Sequence, residues 1–182
     1  MYLLTKSRSL SIILEKHSIR EESTMGIRTL QETDNKQLAQ LIKSSLISAG
    51  LDKPGTAYYD PQLQQLSFYY EHLTNANYWV IEQQNKIIGG VGIAPLEDLP
   101  EICELQKLYV DNRFQGRGFS KNLMDTALNF ASKYYKACYL ETHTSLTKAW
   151  HLYEKYGFER LKQPLIDSEH NAMDLWYYKK LI

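Results

Sequence analysis

Apolar positions fall into two periods along the chain, and each change of period marks an element. Met25-Gly26-Ile27-Arg28-Thr29-Leu30 reads as a strand. Thr33 or Asp34 then caps a helix with Leu38, Leu41, Ile42 and Leu46 on one face at period 3.6. Gly50 to Gly55, with Pro54, breaks that pattern. Asp60-Pro61 predicts a second start, a side-chain acceptor at the cap before a residue of fixed φ. Leu63, Leu66, Tyr70 and Leu73 continue it as an amphipathic helix.

The period then shortens to that of a sheet. Tyr78 to Glu82 and Lys86 to Ile93 flank Gln84-Asn85 as a hairpin. Gly89, Gly90 and Gly92 weaken the second strand on propensity and point to a close approach by another backbone or a ligand. Pro95 to Pro100 reads as a loop, Glu101 to Val110 and Ala137 to His143 as strands. Between those strands, Gly116 to Tyr135 carries the stripe Phe119, Leu123, Met124, Leu128, Ala131 and Tyr134 of a long helix. Strand, helix, strand in that order is a crossover unit, which predicts a parallel pair. Thr147 to Tyr156 reads as a short helix stopped by Gly157, and Phe158 to Leu161 and Ala172 to Lys179 as closing strands.

Composition narrows the function classes. At roughly 150 residues per domain, 182 residues make one domain with a short appendage. The appendage is residues 1–24, an upstream start or loosely attached extension against a docking helix as the alternative, followed by a domain over 25–182. Its apolar stretch, Leu10 to Leu14, is too short for a secretory signal. Lys and Arg number 21 and Asp and Glu 21, so the basic excess that phosphate neutralisation needs is missing and nucleic acid is not expected as a partner. No apolar run approaches the roughly 20 residues of a bilayer span. Cys103 and Cys138 make neither a disulfide framework nor a metal site, and the five histidines lack metal spacing. A cytoplasmic protein without metal or membrane contact is the expectation, with a homodimer left open.

Chemistry concentrates in Leu108-Tyr109-Val110-Asp111-Asn112-Arg113-Phe114-Gln115-Gly116-Arg117-Gly118-Phe119-Ser120. A strand stops, a loop turns, and glycines open a helix whose first amides have no internal partner and attract a phosphate. Arg113 and Arg117 add charge at the mouth. Gly116 as a turn and Gly118 for close packing is the purely structural alternative. A G-x-x-x-x-G-K-[ST] loop is absent, and Lys121 stands where a dinucleotide fingerprint needs its third glycine.

The stretch Arg113-x-x-Gly116-x-Gly118, preceded by Glu104 to Val110 and followed by Ala149-x-x-Leu152-Tyr153-Glu154-Lys155-Tyr156-Gly157-Phe158, resembles the GNAT superfamily of acyl-CoA-dependent N-acetyltransferases. The resemblance runs from Met25 to the C-terminus in element order. It implies an α/β (α+β) fold, a mixed, mostly antiparallel sheet of about seven strands flanked by about four helices. It further implies that the backbone of Gln115, Gly116, Arg117, Gly118, Phe119 and Ser120 holds the pyrophosphate of coenzyme A. The pantetheine arm would pair like a strand with Leu108 and Val110, and a bulge would splay that strand from Ala137 to His143. An N–H near Tyr109 or Val110 would act as oxyanion donor. Ser120 replaces a smaller residue of the family pattern, and Leu146 an asparagine that contacts the cofactor, a contact Thr147 could take over.

By the same resemblance, Glu104 is the candidate general base and Glu141 the second, each with an ordinary solvent-facing or salt-bridged reading beside it. Tyr153 matches the general acid at the coenzyme A sulfur, against a plain core tyrosine. His143 and His151 read as surface or strand-end residues, although His143 could face the acceptor. The acceptor pocket is expected from Ser45 to Tyr59, the hairpin and the last strands, with Tyr58, Tyr59, Tyr69 and Tyr70 as an aromatic wall or as core. The expected activity is acetyl transfer from acetyl-CoA to a primary amine of a small molecule or peptide, by direct attack in a ternary complex. A non-catalytic acyl-CoA-binding module and a domain holding ATP or NAD on the glycine turn are the competing readings.

Overall fold

The computed structural model describes residues 26–181; the extension expected at 1–24 lies outside the described residues. Seven strands form one sheet in the order β1-β2-β3-β4-β5-β7-β6. They are β1 (Gly26–Thr29), β2 (Asn77–Gln83), β3 (Lys86–Leu96), β4 (Leu99–Val110), β5 (Ala137–Thr142), β6 (Glu159–Arg160) and β7 (Leu175–Lys180). Four α-helices accompany them: α1 (Asn35–Ser48), α2 (Leu66–Glu71), α3 (Phe119–Tyr134) and α4 (Thr147–Lys155). Every strand pair is antiparallel except β4 with β5, the pair joined through α3.

Both faces of the sheet are covered, and β2 shows how one strand serves two cores. Trp79 and Ile81 pack with Leu123, Met124, Ala127 and Tyr153 of α3 and α4. Their neighbours Tyr78 and Val80 pack with Leu38, Ile42 and Leu46 of α1 and with Leu63, Leu66 and Tyr70. Period two places successive side chains on opposite faces, so a strand buried on both sides reads as an unbroken apolar run.

Three local readings change. Pro95 to Pro100 is no loop: β3 runs to Leu96, β4 starts at Leu99, and Asp98 takes φ 62° in the turn between them. Pro95 is tolerated because the register shifts there, where a missing N–H costs little. The second helix is two pieces, a 3-10 turn at Pro61–Gln65 and then α2, broken where Gln65 leaves helical geometry. The Asp34 side chain does not cap α1, and the Asp60 side chain does not cap the turn that follows it. The Asp34 carboxylate instead pairs with Arg28 at 2.6 Å and accepts the Gln31 N–H at 2.8 Å.

The centre of the sheet is irregular in a way that builds a cleft. Gly90 pairs with Tyr109 and Gly92 with Gln106, two steps on β3 against three on β4. The extra residue is a bulge in β4, and Lys107 takes φ 50° within it. Two tyrosines from the α1 side brace this bulge across β3. The Tyr78 hydroxyl donates to the Lys107 carbonyl at 2.8 Å, and the Tyr70 hydroxyl to Gln106 Oε1 at 2.7 Å. A Cβ on Gly90 would sit 2.6 Å from the Tyr78 ring, and one on Gly92 2.2 Å from the Tyr70 oxygen. The close approach expected of a backbone or ligand is thus made by these two side chains at Gly90 and Gly92, and by the Tyr109 carbonyl, 3.0 Å from a Cβ, at Gly89.

Candidate active site

Beyond the bulge, β4 and β5 part. Their register holds for Ile102 with Ala137, Cys103 with Cys138 and Glu104 with Tyr139, and then stops. Asp111 N–H donates to Ile88 on β3, so by alternation the Val110 amide turns the other way, toward the gap. A cavity of about 590 Å3 occupies this gap, a volume suited to a sizeable organic ligand. Gln115, Gly116, Phe119 and Ser120 line one end; Glu104, Glu141 and His170 contribute at the acceptor end; Leu108, Tyr109, Val110 and Tyr153 also line it. Arg117 and Gly118 are not among the lining residues.

The loop end is shaped for an anion. Gly116 and Gly118 have φ of 78° and 85°, the left-handed region that favours glycine. Gly118 is the N-cap of α3 and provides no side-chain acceptor, so first-turn amides of a 16-residue helix are left for another partner. The expected arginine pair divides. Arg113 is folded back on Asp111 at 2.6 Å, which neutralises it, while the Arg117 guanidinium lies 5.2 Å from the Phe114 ring centre. Lys148, at the start of α4, reaches Gln115 Oε1 at 3.1 Å across the cleft. Thr147 and Leu146 line the cavity beside it.

At the other end Glu104 is half-buried on the cavity wall. Burial raises its carboxyl above the usual range, opposed by a 2.6 Å hydrogen bond from Gln106 Nε2 to Oε2. Gln106 is itself held by Tyr70, so the bulge brace also orients Glu104. Glu141 is differently placed: Tyr139 donates to Oε1 at 2.8 Å and Ser168 to Oε2 at 2.6 Å, so both oxygens are engaged. Tyr153, 5% exposed, stands between Phe158 and Tyr177, and burial pushes its hydroxyl pKa well up. It is thus both a core residue and a wall of the cavity.

The structure also assembles a charge cluster that local sequence reasoning missed. Lys107 Nζ lies 2.6 Å from Asp60 Oδ2, with the two side chains only 4% and 7% exposed. The pair is a close ion pair, and the Lys107 charge holds that oxygen. His170 Nε2 lies 2.8 Å from Asp60 Oδ1. Burial works to raise the Asp60 carboxyl, but the His170 bond and the Lys107 charge overcome it and hold it below the carboxylate range. The same bond raises the imidazole pKa of His170 against the effect of burial. Asp60 and His170 are 110 positions apart, and no local pattern joins them.

Of the two readings of the tyrosines, the aromatic wall does not form. Tyr58 and Tyr59 meet edge to face, Tyr70 is buried on Gln106, and none of Tyr58, Tyr59, Tyr69 or Tyr70 lines the cavity. Ser45, Leu46, Ser48, Ala49, Leu51 and Ala57 do line it, as expected of that segment. His143 does not line the cavity but contacts Ser145, which does, while His151 is exposed on α4 and Cys103 and Cys138 are buried and free. Among the described residues, no group of His, Cys, Asp and Glu is arranged to hold a metal ion, and no helix is long and apolar enough to cross a membrane.

Comparison with known proteins meets this geometry from outside. Residues 42–158 match the acetyltransferase (GNAT) family. The uncharacterized N-acetyltransferase YjgM of Escherichia coli (strain K12) is 39% identical over 143 residues, 76% of this chain and 84% of that protein. Among solved structures, a GNAT-family acetyltransferase from Staphylococcus aureus Mu50 shares the fold with a TM-score of 0.77 at 19% identity, over 87% of this chain and all of that one. The spermidine N-acetyltransferase of Vibrio cholerae, in complex with CoA and spermine, superposes with a TM-score of 0.63 at 22% identity, over 86% of this chain and 95% of its own. A sheet with one parallel pair parted over a bare helix N-terminus, and a sequence matched over its central two-thirds, lead to one statement: the chain belongs to the GNAT family and is an N-acetyltransferase.

Proposed function

We propose that the protein moves an acetyl group from acetyl-CoA to a primary amine of a small molecule or peptide, by direct attack with both reactants in one cleft. The observation that carries this is the cavity itself, which runs without interruption from the α3 amides to Glu104. The residues present fit coenzyme A. Uncapped amides around Gln115 to Ser120 suit its phosphates, and the turned-out backbone of Leu108 and Val110 suits the amides of its pantetheine arm. Lys148 adds a cation at the same mouth, where Leu146 replaces a polar residue. When bound, acetyl-CoA supplies an activated acetyl group and a thiolate as leaving group.

The chain's own residues supply orientation and proton handling. Glu104 takes the proton of the incoming amine; its Oε1 is left open while Gln106 holds Oε2, whereas each oxygen of Glu141 already accepts a hydrogen bond. Tyr153 protonates the departing thiolate, a donor that need not first be charged. Backbone N–H groups at the bulge, that of Val110 among them, stabilise the developing oxyanion. Two reactants in one cleft replace a bimolecular encounter by an effectively unimolecular step. Release of free coenzyme A across a panel of amines, polyamines, amino acids and peptides tests the reading. Polyamines belong in it because the Vibrio cholerae relative is a spermidine acetyltransferase. Acetyl-CoA that binds without turning over on any acceptor would leave an acyl-CoA-binding module instead.

A further inference from the structure

Acetylating an ammonium acceptor releases one proton to the medium. The nitrogen forms its bond to the acetyl carbon and sheds two protons, and the carbon–sulfur bond breaks. The thiolate ends with one of those protons, by way of Tyr153, and the other must leave the site. Glu104 receives it half-buried on the cavity wall, where desolvation favours the neutral acid, and with both substrates filling the cleft the base needs a route by which to discharge.

We propose that His170, oriented by Asp60, carries this proton from Glu104 to solvent; the assignment rests on the acetyl-transfer reading above. His170 lines the same cavity as Glu104, and its side chain is 27% exposed, so it meets both the site and water. Asp60 is held as a carboxylate, an acceptor only, so the imidazole proton facing it sits on Nε2. Nδ1 then has no hydrogen bond among the described residues and is the atom that receives and passes the proton. The charged groups acting on His170 are Asp60 from the loop before α2, and Lys107 and Glu104 from β4. Glu141 of β5 reaches its backbone N–H through Ser168. Together they leave the imidazole with a raised proton affinity, so that it can take the proton Glu104 gives up.

His170 can be removed without dismantling its support. The segment before β7 stays tied by Ser168 to Glu141 and by the Ala172 N–H to the Gly55 carbonyl at 3.1 Å. In weak buffer, H170A and H170Q should therefore stay folded, melting cooperatively with only a modest shift, but turn over about 10²-fold more slowly with acetyl-CoA and a saturating amine. Added imidazole should restore H170A in proportion to its concentration, which loss of a packing residue does not allow. By NMR titration the His170 imidazole should lie above the ordinary histidine value in the parent and fall in E104Q, where one negative neighbour is gone. A parent-like kcat for H170A, a loss that imidazole fails to relieve, or an imidazole pKa indifferent to E104Q overturns the assignment. Turnover by the parent is the separate control: a parent that releases no coenzyme A sinks the acetyl-transfer reading and the assignment with it, whereas a parent-like H170A sinks only the latter.

Discussion

A carboxylate that must take a proton from an amine near neutral pH gains from a raised proton affinity, and Glu104 acquires it through desolvation by its partial burial in the cleft. The same burial costs stability, because an acid whose folded pKa is raised ionises less readily in the native state than in the unfolded chain. Glu104→Gln should therefore act in opposite directions on rate and stability. Its kcat should drop most at low pH, where the acceptor is protonated, and recover in part in alkaline medium. Its melting temperature at neutral pH should rise, by about 2–4 °C per kcal/mol of relief. A lower melting temperature by calorimetry would mean that the charge is stabilised in place. Tyr153 faces the complementary demand. Tyr153→Phe should lower kcat by roughly 10²-fold and leave acetyl-CoA affinity near the parent value, since the phosphate contacts lie at the other end of the cleft. Parent-like turnover would make Tyr153 a packing residue between Phe158 and Tyr177.

At the scale of elements, the start of α3 separates backbone from side-chain contributions to anion binding. Gly118 holds φ 85°, and a Cβ there would meet nothing within 4 Å, so a substitution is strained by conformation rather than by collision with the protein. Gly118→Val should weaken acetyl-CoA binding at least tenfold in calorimetric titration, as the turn that aims the amides is lost. Arg117→Ala should cost less, because that side chain lies over Phe114 and carries screened charge. The reverse order would show that side chains, not amides, hold the phosphates. This turn was legible in the sequence, because its glycines, the strand before it and the helix after it are contiguous. The bulge was legible only through the family resemblance, and its brace was not. Gly90 and Gly92 announced a close approach, but Tyr70 and Tyr78 come from elements that local periodicity cannot place across β3. Asp60 failed for a related reason. Asp before Pro is a sound capping pattern, and a tertiary ion pair with Lys107 outcompeted the cap.

Across the whole molecule, two buried carboxylates tie distant segments together and make stability depend on pH. Asp34 joins β1 to the start of α1 through Arg28, and Asp60 joins the loop before α2 to β4 and to the segment before β7. Burial opposes both carboxylates, yet their partners hold both below the ordinary range. Their contribution is therefore present above the unfolded value of about 3.9 and is lost as pH falls through the folded values. His170 works in the other direction. Its folded pKa is raised by Asp60, so its contribution is full below the unfolded value of about 6.5 and is lost as pH climbs through the folded one. The raised carboxyl of Glu104 adds a cost on the same alkaline side as it ionises. These signs place the maximum of melting temperature between about pH 4 and 6.5, with a decline toward pH 8.5 and a steeper one below pH 4. His170→Gln should flatten the alkaline decline and leave the acid limb, which belongs to Asp34 and Asp60, in place. Scanning calorimetry from pH 3 to 9 checks this. A parent curve that keeps rising from pH 6 to 8.5 would mean that the His170–Asp60 contact does not hold the chain together in solution.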